Sequence, residues 1–202
     1  MADQSVFINV PFDQKYRKLF HALVFTVHEC DFVARCALEG DDGSQVRMDK
    51  LYEIVRESPH GIHDLSRTTL DSANRLPRFN MPFELGVFLD AKRYGDSAQR
   101  RKSCLILERD LYRYQKFCSD IAGQDIRAHG NNVTKAIGAV RNWLRAARPN
   151  RQILGGDSIA KRYRRFRLDL PRMRREGKID LPNPPFLDYR MMVIAWLAVN
   201  QE

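Results

Sequence analysis

The sequence predicts a doubly wound α/β fold: a parallel sheet of four to five strands covered by helices on both faces, followed by a basic helical extension. Two observations predict it. Up to residue 147, short apolar runs rich in β-formers alternate with segments whose apolar residues recur at helical spacing. That alternation implies parallel strands joined by right-handed crossovers. Beyond residue 150 the alternation stops and the charge balance changes. The chain therefore divides into an α/β body over 1–150 and an extension over 151–202 that packs on the body or on a partner.

SVFINVPF at 5–12 reads as a fully buried central strand ended by Pro11 and Asp13. Over 14–30, Tyr16, Leu19, Phe20, Leu23, Val24 and Val27 form one helical face. FVARCALE at 32–39 is the second strand, and the acidic, glycine-bearing EGDDGSQ is a surface loop. A second helix covers 47–57, with Met48, Leu51, Ile54 and Val55 on its apolar face, and GIHDLS at 61–66 is strand three. After a loop at 67–80, a third helix is expected at 81–93, capped by Asn80, with Pro82 in its first turn. KSCLILER at 102–109 is strand four, a helix follows at 112–121, and a short fifth strand is expected at 125–129. The last helix of the body spans 131–147, with Asn131 or Asn132 as its cap.

The chain has 202 residues, enough to bury a substantial core. Its 44% hydrophobic and 29% charged composition is that of a globular domain. No run approaches the roughly 18 apolar residues a membrane span requires, and the opening residues lack a signal pattern, so no membrane association and a cytoplasmic location are expected. Cys30, Cys36, Cys104 and Cys118 have no CxxC spacing and read as reduced, mostly buried thiols, with no metal site.

The net charge of +9 sits in the extension. Residues 141–202 hold 14 Lys/Arg against 6 Asp/Glu, whereas the first 140 residues are nearly balanced. The densest run, KRYRRFR at 161–167, admits two readings. Lys and Arg beside Tyr163 and Phe166 suit a nucleic acid or an acidic partner surface. Alternatively the run is a solvated helix face whose Tyr163, Phe166 and Leu170 are buried. At the end of the chain, Met192, Ala195, Trp196 and Val199 recur at helical spacing, which predicts a helix docked on the body or a partner.

LPRFNMPFELGVFLDAKRYG, at 76–95, is the segment that bears most on chemistry. Glu84 stands three, four and seven residues before Val87, Phe88 and Ala91, on the buried stripe of helix three. A carboxylate there is costly to desolvate unless it is paired or faces a cavity, and helix amides favour an anion at that end. An ion pair with Arg78 is the ordinary alternative. Gly86 leaves room for a ligand or a neighbouring backbone. Asn9, Pro11, Phe12 and Asp13 follow strand one, while His63, Asp64, Ser66 and Arg67 close strand three. In a sheet ordered 2-1-3-4-5 these two strands flank the topological switch point, so their ends are expected to meet the opening of helix three in one polar pocket.

FINVPFD at 7–13, HDLSR at 63–67 and NMPFELG at 80–86 resemble the corresponding segments of the TIR-like and nucleoside 2-deoxyribosyltransferase-like superfamily. The likeness spans roughly residues 5–110. It implies a flavodoxin-like/TIR-like sheet, a catalytic Glu84 in the E-L-G triplet and Asp64 as a second site acid. Asn9, Pro11, Phe12, Asp13, Ser66, Arg67, Arg78, Asn80 and Gly86 would line the substrate. Asn80, Met81 and Pro82 depart from the Gly-Thr pair and small residue of many deoxyribosyltransferases, and Asn9 replaces the Ser of many TIR domains.

The chemistry implied is cleavage of an N-glycosidic bond, in which a carboxylate stabilises or traps an oxocarbenium-like sugar. NAD suits such a site as substrate, not cofactor, because its nicotinamide is cationic and departs neutral. Asp64 would then orient ribose hydroxyls, and Arg78 or Arg67 would meet the pyrophosphate. Neither GxGxxG nor GxxxxGK[ST] is present, so no dehydrogenase fingerprint or P-loop is indicated. The resemblance further implies self-association or a partner protein, in a setting of antiviral defence or toxin action. Two other readings stand beside this one: a non-catalytic sensor of a nucleotide signal in the same pocket, and a scaffold carrying a nucleic-acid-binding tail.

Overall fold

The β-formers of the body are gathered into one five-stranded sheet, in which every pairing is parallel and the order is β2-β1-β3-β4-β5. This is seen in a computed structural model that describes residues 4–40, 42–68, 79–179 and 183–201. The strands are β1 (Ser5–Asn9), β2 (Val33–Arg35), β3 (His60–Asp64), β4 (Ser103–Glu108) and β5 (Ile126–Ala128). The helices are α1 (Arg17–Glu29), α2 (Arg47–Glu57), α3 (Asn80–Tyr94), the short α4 (Ser97–Arg100), α5 (Val133–Ala147), α6 (Gly156–Glu176) and α7 (Phe186–Val199). Order and direction are those of the flavodoxin-like doubly wound fold, with the switch point between β1 and β3.

Side-chain alternation divides the strands between two helical layers. Val6 and Ile8 of β1, Ile62 of β3, and Leu105 and Leu107 of β4 face α1 and α5 in the main core. On the other face Phe7 packs with Leu51, Ile54 and Val55 of α2 and with Phe88 of α3. Leu85 of α3 joins Leu65, Ile106, Tyr114 and Ile121 in a third cluster on that side. Gly61 explains how α3 comes so close. A Cβ there would stand 2.7 Å from His63 Nε2 and 2.8 Å from a Phe88 ring carbon, so only glycine lets Phe88 lie on the sheet.

The extension continues the main core. Ile159, Tyr163 and Phe166 of α6, with Phe186, Tyr189, Met192, Val193 and Trp196 of α7, are buried in the same cluster as α1 and α5. The aromatic rings pack at close range, Phe25 lying 5.3 Å from Phe166 and 5.8 Å from Trp196. The Trp196 indole nitrogen donates to Asp169 at 2.8 Å, and Arg162 donates to Glu29 at 2.9 Å. Tyr163 and Phe166 are therefore core residues, and the base-stacking role open to them in the sequence is ruled out by burial.

Several elements are shorter than their sequence patterns, the strands especially: β1 ends at Asn9, before Val10, Pro11 and Phe12, and β2 ends at Arg35, before residues 36–39. The helix expected at 112–121 is replaced by two 3-10 turns, Arg113–Lys116 and Ser119–Ile121. Tyr112 adopts a left-handed backbone with φ 61, which interrupts a right-handed helix at its first residue. Helix α3 begins one residue early, so Asn80 is its first residue and not its cap; Phe79 occupies that place without a side-chain hydrogen bond. Asn132 caps α5 as expected, accepting from the Lys135 amide at 3.0 Å. All four cysteines are unpaired thiols, and among the described residues no helix is long and apolar enough to cross a membrane.

Candidate functional site

At the carboxyl end of the sheet, parity decides which groups share a face. Asn9 is two residues beyond Phe7, and its register partner His63 is two beyond Gly61, so both lie under α3. Asp64 is two beyond Ile62 and lies on the α1 and α5 side. The strand-end residues form two clusters on opposite faces of the sheet, not the single pocket expected from the sequence.

Under α3, the Asn9 amide donates to the carbonyl of Met81 at 3.0 Å and lies 3.1 Å from His63 Nδ1. This ties the first turn of α3 to the switch point. His63 is fully buried between Phe7 and Phe88, and burial drives its pKa down to about 3, so the ring is neutral. Its Nε2 and the Asn9 Oδ1 are buried without hydrogen-bond partners among the described residues.

Glu84 is one turn before Phe88 on the same stripe and is only 6% exposed. Among the described residues its carboxylate has neither a hydrogen-bond nor an ion-pair partner. Burial raises its pKa from 4.5 to about 7, and the more distant charge of Arg47, at the start of α2, partly opposes the rise. The ordinary alternative, consumption by Arg78, concerns a residue outside the described ones. Two large rings near the start of α3 stand in solvent: Phe79 is 52% exposed and Phe83, the residue before Glu84, 57%, although the sequence pattern did not single them out. Gly86 lies on the solvent side of α3, where an added Cβ would meet nothing within 4 Å, and the exposed Asn80 makes no cap; neither is drawn toward Glu84.

On the other face Asp64 is fully enclosed by donors. Its Oδ1 accepts the Ser66 amide at 2.8 Å, and its Oδ2 accepts the Tyr16 hydroxyl at 2.5 Å and His129 Nε2 at 2.9 Å. Burial alone would raise this carboxyl, but the hydrogen bonds from His129, Ser66 and Tyr16 hold it below the usual aspartate value. His129 Nδ1 accepts the Asn131 amide at 3.0 Å, which leaves Nε2 as the ring nitrogen that donates to Asp64. The turn after β5 makes that possible, with Gly130 and Asn131 both left-handed at φ 57 and 54, conformations these two residue types tolerate.

Ser66 Oγ also lies 2.9 Å from His129 Nε2. Serine and aspartate thus share one ring nitrogen, whereas a serine nucleophile needs them on opposite nitrogens. The Tyr16–Asp64–His129–Ser66 group is therefore a buried polar lock joining the ends of β1, β3 and β5, with no carboxylate oxygen of Asp64 left for a sugar hydroxyl. Tyr16 and His129 were not singled out in the sequence. Tyr16 read as part of an apolar helical stripe, and His129 is a lone histidine in a weak strand signal.

The remaining strand-end residues brace the rim. Asp13 accepts the Lys15 and Tyr16 amides at 2.9 and 3.1 Å and pairs with Arg67 at 3.2 Å, tying the loop after β1 to that after β3. Pro11 is buried, and Phe12 packs on Phe20 with ring centres 5.3 Å apart. Arg113, also missed by the sequence pattern, donates to the carbonyls of Leu65 and Ser66 at 3.1 and 2.7 Å and pairs with the buried Glu108. Among the described residues no cluster of His, Cys, Asp or Glu has the arrangement of a metal site.

Comparison of the chain with family models, with curated proteins and with solved structures returns no match in any of the three.

Proposed function

We propose that the protein is a nucleotide N-glycosidase of the TIR-like type, with NAD as the substrate best suited to the site and Glu84 as the carboxylate facing the reacting sugar. The observation that carries this reading is a buried glutamate with no hydrogen-bond or ion-pair partner among the described residues, at the opening of a helix beside the switch point of a doubly wound sheet. Ligands of such sheets bind there, and a carboxyl raised to about 7 is a group whose environment favours meeting a cation.

Cleavage proceeds by departure of nicotinamide, whose ring takes up the bonding electrons and leaves neutral. The C1′ carbon becomes oxocarbenium-like, and the Glu84 carboxylate stabilises that charge or closes on it before water attacks. Because the leaving group needs no proton, one carboxylate serves. Approach of the cationic ring returns Glu84 to its ionised form, since opposite charge lowers a carboxyl pKa. Phe79 and Phe83 present aromatic faces for the nicotinamide or adenine ring. Asp64, fully occupied by protein donors, acts as a positioning residue that holds the rim in place. Arg67, already paired with Asp13, meets the pyrophosphate only by exchanging that partner.

The deciding experiment is incubation of the purified protein with NAD, following nicotinamide release, beside Glu84→Gln. Release by the parent and none by the variant is the expected result. Equal release from both, or saturable NAD binding without turnover, excludes catalysis by Glu84; the second outcome indicates a sensor using the same pocket.

A further inference from the structure

Helix α6 presents a face for which neither the core nor the glycosidase reading has a use. Burial of Ile159, Tyr163 and Phe166 fixes its rotation, leaving about half of its circumference in solvent. On that half stand Lys161, Arg164, Arg165, Arg167, Arg172 and Arg175, all exposed, and between Ser158 and Arg175 it carries no acid. Asp169, the acid in this stretch, is turned half inward toward Trp196. Arg172 touches Asp169 and Glu176 only at 3.9 and 3.8 Å, and among the described residues the other five have no acidic partner.

The positions have an order. With about 3.6 residues per turn, Lys161, Leu168 and Arg175 run along the midline of the exposed face. Arg165 and Arg172 stand on one flank, and Arg164 and Arg167 on the other. Cations on both flanks of a helix about 30 Å long match the two phosphate rails bordering a groove. The B-form major groove, about 12 Å wide, admits a helix, whereas the major groove of an RNA duplex is too narrow. Leu168, 82% exposed on the midline, offers an apolar contact and no hydrogen bond by which to read sequence. A membrane-lying helix would need an apolar face outward, and that of α6 is inside the protein.

We infer that the exposed face of α6 is a docking surface for double-stranded DNA, held through phosphates without base stacking and without sequence preference.

The test is fluorescence anisotropy of a short labelled duplex with the full-length protein, titrated between about 50 and 200 mM salt. With five or six phosphates engaged, the logarithm of affinity is expected to fall with that of salt with a slope of about −4.5 to −5.5. The triple variant Lys161→Glu/Arg165→Glu/Arg172→Glu alters only exposed residues. Its circular dichroism should match the parent, and its slope should be shallower by about 3, one per cation removed. Arg165→Lys/Arg172→Lys keeps the charge and should keep the slope. Any of four results overturns the proposal: no binding at about 50 mM salt, a parental slope in the folded triple variant, tighter binding to an RNA duplex of equal length, or binding to anionic vesicles but not to the duplex.

Discussion

The Tyr16 hydroxyl donates to Asp64 at 2.5 Å across 48 residues of sequence, joining the entrance of α1 to the end of β3. The same carboxylate oxygen accepts from His129, so one atom ties three crossovers of the fold together.

Asp64→Asn should be strongly destabilising. The amide nitrogen must face either the Ser66 N–H or both the Tyr16 and His129 donors, leaving buried donors unpaired at a cost of about 2–4 kcal/mol. Tyr16→Phe removes one donor and should cost about 1–2 kcal/mol. Because both changes act on one hydrogen bond, the double variant should cost less than the sum, and urea unfolding of the four proteins measures the difference. The pH dependence follows from Asp64 being held below its usual pKa. Its stabilisation is present above the unfolded-chain value of about 4 and is lost as pH falls through the folded value.

Glu84→Gln should separate stability from activity. A carboxyl raised by burial favours the folded state least when ionised, so its contribution declines as pH rises from about 4.5 through about 7. The glutamine variant lacks that penalty and should be more stable than the parent at pH 8, by on the order of 1–3 kcal/mol, with no difference at pH 4. Nicotinamide release by the parent should rise with pH through about 7 as the carboxylate forms, and be lost in the variant. Thermal unfolding at the two pH values, with initial rates across the range, checks both halves.

Phe83→Ala tests the exposed ring one residue before Glu84. Phe83 is 57% exposed, so its removal should leave the melting temperature nearly unchanged. Loss of a stacked ring should weaken the substrate complex by about 1 kcal/mol, raising KM roughly fivefold while kcat changes little. An unchanged KM for NAD excludes stacking at this position.

Much of this arrangement was legible in the sequence because it is local. Periodicity places α2 at its observed bounds, 47–57, and the four-residue spacing of Glu84 and Phe88 turns the acid inward. Parity within β3 would also have separated Asp64 from His63, since adjacent strand residues face opposite layers. The expectation of one convergent pocket overlooked it. The Tyr16–Asp64–His129 lock was not legible, because its members are 48 and 65 residues apart and each has an ordinary local role. The failed helix at 112–121 has a different cause. Its composition permits a helix, but a left-handed Tyr112 lets Arg113 turn back onto the carbonyls of residues 65 and 66.

His63 gives the protein an acid-sensitive element. Burial holds its pKa at about 3 in the folded state, while in the unfolded chain it titrates near 6.5. Between those values the unfolded state binds the extra proton, so stability is lost as pH falls below about 6.5. His21 and His28, lowered to about 4 by burial, act in the same direction over the upper part of that window. His63→Phe should lower stability at neutral pH by leaving Asn9 without its ring partner, yet flatten the decline between about pH 6 and pH 4. Urea midpoints at several pH values read the slope independently of the absolute loss, and a parental slope in the variant rules out His63 as its source.

The change of composition near residue 150 marks a boundary in the sequence, but α6 and α7 complete the main core. Trp196, Phe166 and Tyr163 cover Phe25 of α1, and Tyr189 stacks on His21 and donates to its carbonyl at 3.0 Å. Removing residues 151–202 would therefore bare the outer face of α1 and α5, a continuous apolar surface of the kind that drives aggregation. A chain ending at residue 150 should be insoluble or lack cooperative unfolding. Trp196→Ala, which leaves a cavity and an unpaired Asp169, should cost about 3–5 kcal/mol in the intact protein. Expression of the shortened chain with calorimetry of the Trp196 variant tests this: a soluble 1–150 fragment with a sharp melting transition would show that the body folds without its extension.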